Sequence, residues 1–101
     1  AIEHRVRVGV FGHAGDGNFH PTFVTVPADL AGERKVHAAR QAMYAVVLEL
    51  GGTVSGEHGT GLVKREWLVR QRGEEHVRVL RAIKSALDPL GILNPGKIFL
   101  D

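Results

Sequence analysis

Arg5-Val6-Arg7-Val8-Gly9-Val10-Phe11, then Gly12-His13-Ala14-Gly15-Asp16-Gly17-Asn18, then Phe19-His20-Pro21-Thr22-Phe23-Val24-Thr25-Val26 form one continuous stretch that decides the fold. In the first run Val6, Val8 and Val10 alternate with Arg5, Arg7, Gly9 and Phe11, the period of two that puts alternate side chains on opposite faces of a strand. The last run is rich in Phe, Thr and Val and is also extended in character. Two such runs joined by a Gly-rich connection predict an antiparallel hairpin. Pro21 has no backbone donor, so the second strand is an edge there or irregular at its start.

Outward from the hairpin, Pro27-Ala28-Asp29 breaks the strand pattern. From about Glu33, Val36, Ala39, Met43, Val46, Val47 and Leu50 recur at spacings of three and four, which predicts an amphipathic helix of about four to five turns. Gly51-Gly52 ends it, the first supplying the left-handed residue that helix C-termini commonly use. Thr53-Val54-Ser55 has β character, and Gly56 to Gly61 is a second Gly-rich connection. Lys64 to Gln71 predicts a short helix. Glu74 to Leu87 predicts another, with Val77, Leu80, Ile83 and Leu87 on one stripe, acidic residues in its first turn and Pro89 beyond its end. The tail from Gly91 to Phe99 reads as turn-rich coil or strand. The fold class is therefore α+β, an antiparallel hairpin and one further strand packed with helices.

With 101 residues, 44% hydrophobic and 24% charged, the chain is one globular unit whose modest core is expected to lean on a partner surface. A net charge of +2 without any dense basic block argues against nucleic acid as a partner. The absence of Cys removes disulfides, thiolate metal sites and Cys nucleophiles together. No apolar run approaches a membrane span, and Ala1 to Arg7 carries no signal-peptide pattern, so a cytoplasmic location is expected. The start at Ala1, close to a strand, leads to the expectation of a part of a longer polypeptide.

The chemistry lies in the histidines, six in all. His13 and His20 flank the first Gly-rich connection and His58 lies in the second. If the hairpin pairs His13 with His20, both imidazoles share a face, with Cβ atoms roughly 4.5 to 5.5 Å apart. Such a pair can converge on one metal at about 2.0 to 2.1 Å each. Asp16, between two glycines at the tip, is expected to bond local backbone amides. Glu57 and His58 put a carboxylate and an imidazole on a loop able to approach another closely, and two His with one carboxylate suit a first-row divalent ion. On these residues alone, a metal site and an unliganded set of surface side chains both stand.

Three motifs, Gly12-His13-Ala14-Gly15-Asp16-Gly17-Asn18-Phe19-His20, Gly51-Gly52-Thr53-Val54-Ser55-Gly56-Glu57-His58-Gly59-Thr60-Gly61 and Asp88-Pro89-Leu90-Gly91-Ile92-Leu93-Asn94-Pro95-Gly96-Lys97, occur in order through nearly the whole chain. Together they resemble the C-terminal region of FAD-linked oxidases, in the subgroup of the glycolate oxidase FAD subunit, D-lactate dehydrogenase and D-2-hydroxyglutarate dehydrogenase. The resemblance implies a fragment of a ferredoxin-like substrate domain followed by C-terminal helices, with residues 1–101 forming part of the substrate and metal domain. The N-terminal FAD-binding domain of the parent chain is absent from these residues. It implies that His13, His20 and Glu57 hold a divalent metal, Zn or Mn, and that His58 is the catalytic base toward a small D-2-hydroxy acid. Asn18 is implied to orient this shell, and Lys97 to face the flavin or substrate.

The activity so implied is oxidation of a 2-hydroxy acid to the 2-oxo acid by hydride transfer to FAD, with the isolated fragment inactive and free of flavin. Two other readings are a stand-alone metal or ligand-binding module without redox chemistry and a non-haem iron oxygenase, for which the jelly-roll strand pattern is lacking. Trp67 is expected to be a packing anchor. Arg65, Arg70, Arg72, Arg78 and Arg81 are expected to form a solvated face or the surface meeting the absent domain. Apolar surface left uncovered by that absence is expected to drive self-association as a dimer.

Overall fold

A computed structural model describes residues 2–26 and 28–100. The chain divides into two compact units, Ala1–Val46 and Val47–Asp101, where length and composition led to the expectation of one globular unit.

The first unit contains the hairpin, β1 (Arg7–His13) and β2 (Asn18–Val24), in a two-stranded antiparallel sheet. Both strands reach further toward the turn than the alternation indicates, so His13 and Asn18 are strand residues and the connection shrinks to Ala14–Gly17. One 3-10 turn, Ala14–Asp16, closes it, with Gly17 at φ 67° donating its N–H to the Ala14 carbonyl at 3.3 Å. Among the described residues Asp16 makes no hydrogen bond to backbone amides, contrary to expectation; the left-handed glycine does the turning instead. Pro21 is tolerated in β2, which has an open edge in this sheet.

Helix α1 (Leu30–Glu49) starts three residues before the periodic stripe suggests. Asp29 caps it, its Oδ1 accepting the N–H groups of Ala31 at 3.1 Å and Gly32 at 3.0 Å, which satisfies two of the orphan donors at a helix start. Pro27, part of the strand break read from sequence, lies outside the described residues. The stripe is corrected toward the C-terminal end: Val36 and Ala39 are buried as expected and Tyr44 joins them, whereas Val46, and Leu50 just beyond the helix, are exposed. In the first unit Arg40 lies over the Phe23 ring, 5.8 Å from its centroid, tying α1 to β2.

The second unit begins with the end of α1, where Gly51 takes φ 76° and the N–H groups of Gly51 and Gly52 return to Leu48 and Val47. No strand forms at Thr53–Ser55, which corrects the further strand expected there. Val54 is buried, but its N–H is satisfied by the side chain of Gln71 at 3.3 Å, and Gln71 Nε2 donates to Thr53 Oγ1 at 2.6 Å. A side chain thus takes the place of a sheet neighbour. Helices α2 (Arg65–Arg72) and α3 (Glu74–Leu87) follow, hinged at Gly73, whose φ of 80° lets the chain turn between them. Trp67, 3% exposed, and Val77 anchor this unit. The observed architecture is thus α+β, a hairpin with three helices. Among the described residues no helix is long and apolar enough to cross a membrane.

Candidate functional site

The hairpin register decides where the first two histidines go. His13 pairs with Asn18 and Phe11 with His20, so paired residue numbers sum to 31, two less than direct opposition of the histidines requires. His13 and His20 are therefore diagonal neighbours. Because the slip is by two residues and not by one, both side chains remain on the same face. The direct pairing is corrected and the shared face is retained. A diagonal spacing of roughly 7 to 8 Å between backbones is still within reach of imidazoles. The ring centroids lie 6.0 Å apart with planes at 88°, and one ring nitrogen of each residue lies within 4.8 Å of the other.

Tetrahedral coordination at about 2.05 Å per bond places two nitrogens about 3.3 Å apart. The pair needs to close by at most about 1.5 Å, a side-chain rotation. Two imidazole donors on one face fit a first-row divalent ion. Asn18, half-buried, stands directly across from His13 on that face, and Phe11 stands across from His20 as an apolar neighbour that spacing in sequence did not reveal.

Gly12 sets how close the two strands come. A Cβ at this position would lie 2.2 Å from the Asn18 carbonyl oxygen and 2.8 Å from Phe19 Cα. Its φ of 150° is also one that L side chains rarely adopt. The glycine preceding His13 therefore has a steric role beyond flexibility.

Glu57 and His58 occupy the Gly-rich loop of the second unit. His58 Nε2 lies 3.7 Å from Glu57 Oε1, and the two side chains are 75% and 48% exposed, so a small molecule can reach both. The loop is folded by a bond from Gly59 N–H to the Gly56 carbonyl at 3.0 Å, with φ of 72° at Gly59 and 57° at Gly61. Burial holds the Lys64 ammonium below its usual range, and the Glu57 charge opposes that shift. Lys64 is thus a cation that interacts with the Glu57 carboxylate. Lys97 is half-buried and donates Nζ to the Pro95 carbonyl at 3.0 Å, folding back on its own turn.

The third motif is held by groups that the sequence did not mark as functional. Asp88, 6% exposed, accepts from the N–H groups of Ile92 and Leu93 at 3.0 Å each and from Lys84 Nζ. The hydrogen bond from Lys84, aided by the two amides, holds its carboxyl below the ordinary Asp range. The arginines are not a uniform solvated face. Arg65 and Arg81 donate to tail carbonyls, Arg70 covers the Trp67 ring at 4.7 Å, and Arg78 pairs with Glu75.

The sequence matches the family described as FAD linked oxidases, C-terminal domain, over residues 1–98. This chain belongs to that family. It is 40% identical over 99 residues to the glycolate oxidase subunit GlcD of Bacillus subtilis, covering 98% of this chain and 21% of that protein. It is 44% identical over 95 residues to a D-lactate dehydrogenase of Anaerostipes hadrus, covering 91% and 20%. The D-2-hydroxyglutarate dehydrogenase of Stutzerimonas stutzeri is 37% identical over 91 residues, covering 88% and 20%. This FAD-linked oxidase domain therefore spans about a fifth of the length of these relatives.

Proposed function

We propose that this chain is the substrate- and metal-binding portion of a flavin-dependent D-2-hydroxyacid dehydrogenase of the type that oxidises glycolate or D-lactate. In this reading residues 1–101 are the C-terminal part of the substrate domain and work with an N-terminal FAD-binding domain of the same polypeptide. The observation that carries it is the pair of ring nitrogens of His13 and His20, on one face and within 4.8 Å, inside the stretch that matches the FAD-linked oxidase family.

His13 and His20 hold a divalent ion, Zn or Mn, and Glu57 supplies the third ligand. When bound, the ion supplies positive charge that acidifies the substrate α-hydroxyl, and FAD supplies the hydride acceptor. His58 takes the hydroxyl proton on a ring nitrogen, with the Glu57 carboxylate 3.7 Å from its Nε2. Asn18, across the ladder from His13, orients that imidazole and the substrate. Lys97 gives a positive charge to the flavin or substrate side.

The test is oxidation of a panel of D-2-hydroxy acids by the full-length protein with a dye acceptor. At least one acid is oxidised, and His58→Gln lowers kcat by about 100-fold or more while the flavin spectrum is kept. Full activity in His58→Gln, or no oxidation of any acid in the panel, contradicts the reading.

A further inference from the structure

We propose that Arg65 is a positioning residue that sets the Glu57–His58 loop by fastening the C-terminal tail onto it. The inference rests on the function proposed above for that loop and adds a device to it.

The loop from Gly56 to Val63 contains three glycines, and its own backbone contributes one closing bond, from Gly59 to Gly56. A segment of this composition loses much conformational entropy when it is ordered. Among the described residues one backbone hydrogen bond joins it to a distant segment: Ile98 N–H donates to the Gly61 carbonyl at 2.9 Å.

That donor sits in an unusual backbone. Ile98 has φ 69°, a left-handed value that is a genuine outlier for a β-branched residue. Phe99 N–H returns to the Lys97 carbonyl at 2.8 Å, which makes Ile98 the centre of a strained γ-turn. Strain of this kind persists only where the surroundings over-determine it. Arg65 is what surrounds it. Its Nη1 donates to the carbonyls of Gly96 at 3.3 Å and Phe99 at 3.4 Å, one on each side of Ile98, and its Nε donates to the Leu62 carbonyl at 3.1 Å, next to Gly61.

One planar guanidinium thereby joins the exit of the loop to both arms of the turn. Lysine, with a single ammonium, cannot reproduce this fork. Arg81 braces the same tail from α3, donating to the Leu100 carbonyl and lying 4.7 Å from the Phe99 ring centroid. With the turn fixed, the Ile98 N–H is fixed, and with it the end of the loop that carries the carboxylate and the imidazole.

Full-length wild-type protein, Arg65→Lys and Arg65→Gln test this, with Arg78→Gln as a control because Arg78, among the described residues, pairs with exposed Glu75 on its own helix. Amide hydrogen exchange over residues 56–63 is expected to accelerate about 10-fold or more in Arg65→Gln and less in Arg65→Lys, with α3 unchanged. In turnover with D-lactate or glycolate, kcat is expected to fall about 10- to 100-fold in Arg65→Gln at equal flavin content, with KM within about twofold, since small misplacement of a catalytic group has effects of this size. Arg65→Lys is expected to fall between, and Arg78→Gln to match wild type. Unchanged exchange over 56–63 in both Arg65 variants overturns the proposal. So does accelerated exchange with undiminished kcat in an enzyme that needs His58. If the wild-type protein oxidises no D-2-hydroxy acid, the proposed function fails, while the exchange measurement still decides whether Arg65 positions the loop.

Discussion

Substituting Gly12 by alanine tests the geometry of the histidine pair from its steric origin. The new Cβ lies 2.8 Å from Phe19 Cα, where carbon atoms normally stand about 3.5 to 4.0 Å apart, so the strands must separate locally by about 1 Å. Contact with the Asn18 carbonyl at 2.2 Å is tighter still. Separation on that scale stretches about two ladder hydrogen bonds, worth about 1 kcal/mol each. An L residue held at φ 150° costs about 1 to 3 kcal/mol more. Together these give a loss of about 3 to 5 kcal/mol.

Gly15 supplies the comparison, because a Cβ there meets nothing within 4 Å, and Gly15→Ala is expected to stay within about 0.5 kcal/mol of wild type. Urea unfolding of the full-length protein measures both, and titration with Co(II) reads the site. Gly12→Ala should weaken Co(II) binding about 10-fold or more, since the hairpin that presents both imidazoles is displaced. Equal stability and equal Co(II) affinity in the two variants would refute the argument that Gly12 sets the approach of the strands.

Trp67→Ala should destabilise the second unit by about 3 to 5 kcal/mol, read as a lowered unfolding midpoint, because the indole is 3% exposed and its removal leaves a cavity. Asp88→Asn should release the tail, seen as faster exchange at residues 92–100. The same release should occur in wild type on acidification: a carboxyl held below 3.8 contributes its stability above that value and loses it as pH falls through the lowered pKa. Residues 1–101 expressed alone should be colourless and should self-associate, as sedimentation would reveal, since Val10, Phe11, Phe19, Leu50 and Leu87 are each more than half exposed.

The hairpin, α2 and α3 were legible because period-two alternation, glycine punctuation and acidic first turns are local signals. The start of α1 was legible in principle. Asp29 is a standard cap residue, but the apolar stripe begins only at Val36, so periodicity alone put the start too late. The register was not legible. Gly12 and Gly17 allowed either of two slips, and the tight approach of Gly12 to Asn18 and Phe19, a tertiary fact, distinguishes them.

Thr53–Ser55 carries β propensity, yet a strand needs a neighbour, and Gln71 satisfies Val54 instead. The roles of Arg65 and Arg81 depend on contacts with a tail up to 34 residues away, which no spacing rule encodes, whereas the contacts of Asp88 with Lys84, Ile92 and Leu93 are local. The candidate residues Glu57 and His58 stood out because Gly56 and Gly59 flank the pair, and His13 because Gly12 precedes it, whereas His20 has no glycine neighbour and was singled out by its place at the far end of the hairpin connection.

Metal binding by the hairpin histidines is the central expectation for this chain. Titrating Co(II) into the full-length protein, wild type and the variants His13→Ala, His20→Ala and His37→Ala, separates this pair from an exposed imidazole on α1. One ion per chain is expected to bind, with affinity lowered about 100-fold or more by either hairpin substitution and unchanged in His37→Ala. Wild-type affinity retained in both His13→Ala and His20→Ala would contradict it.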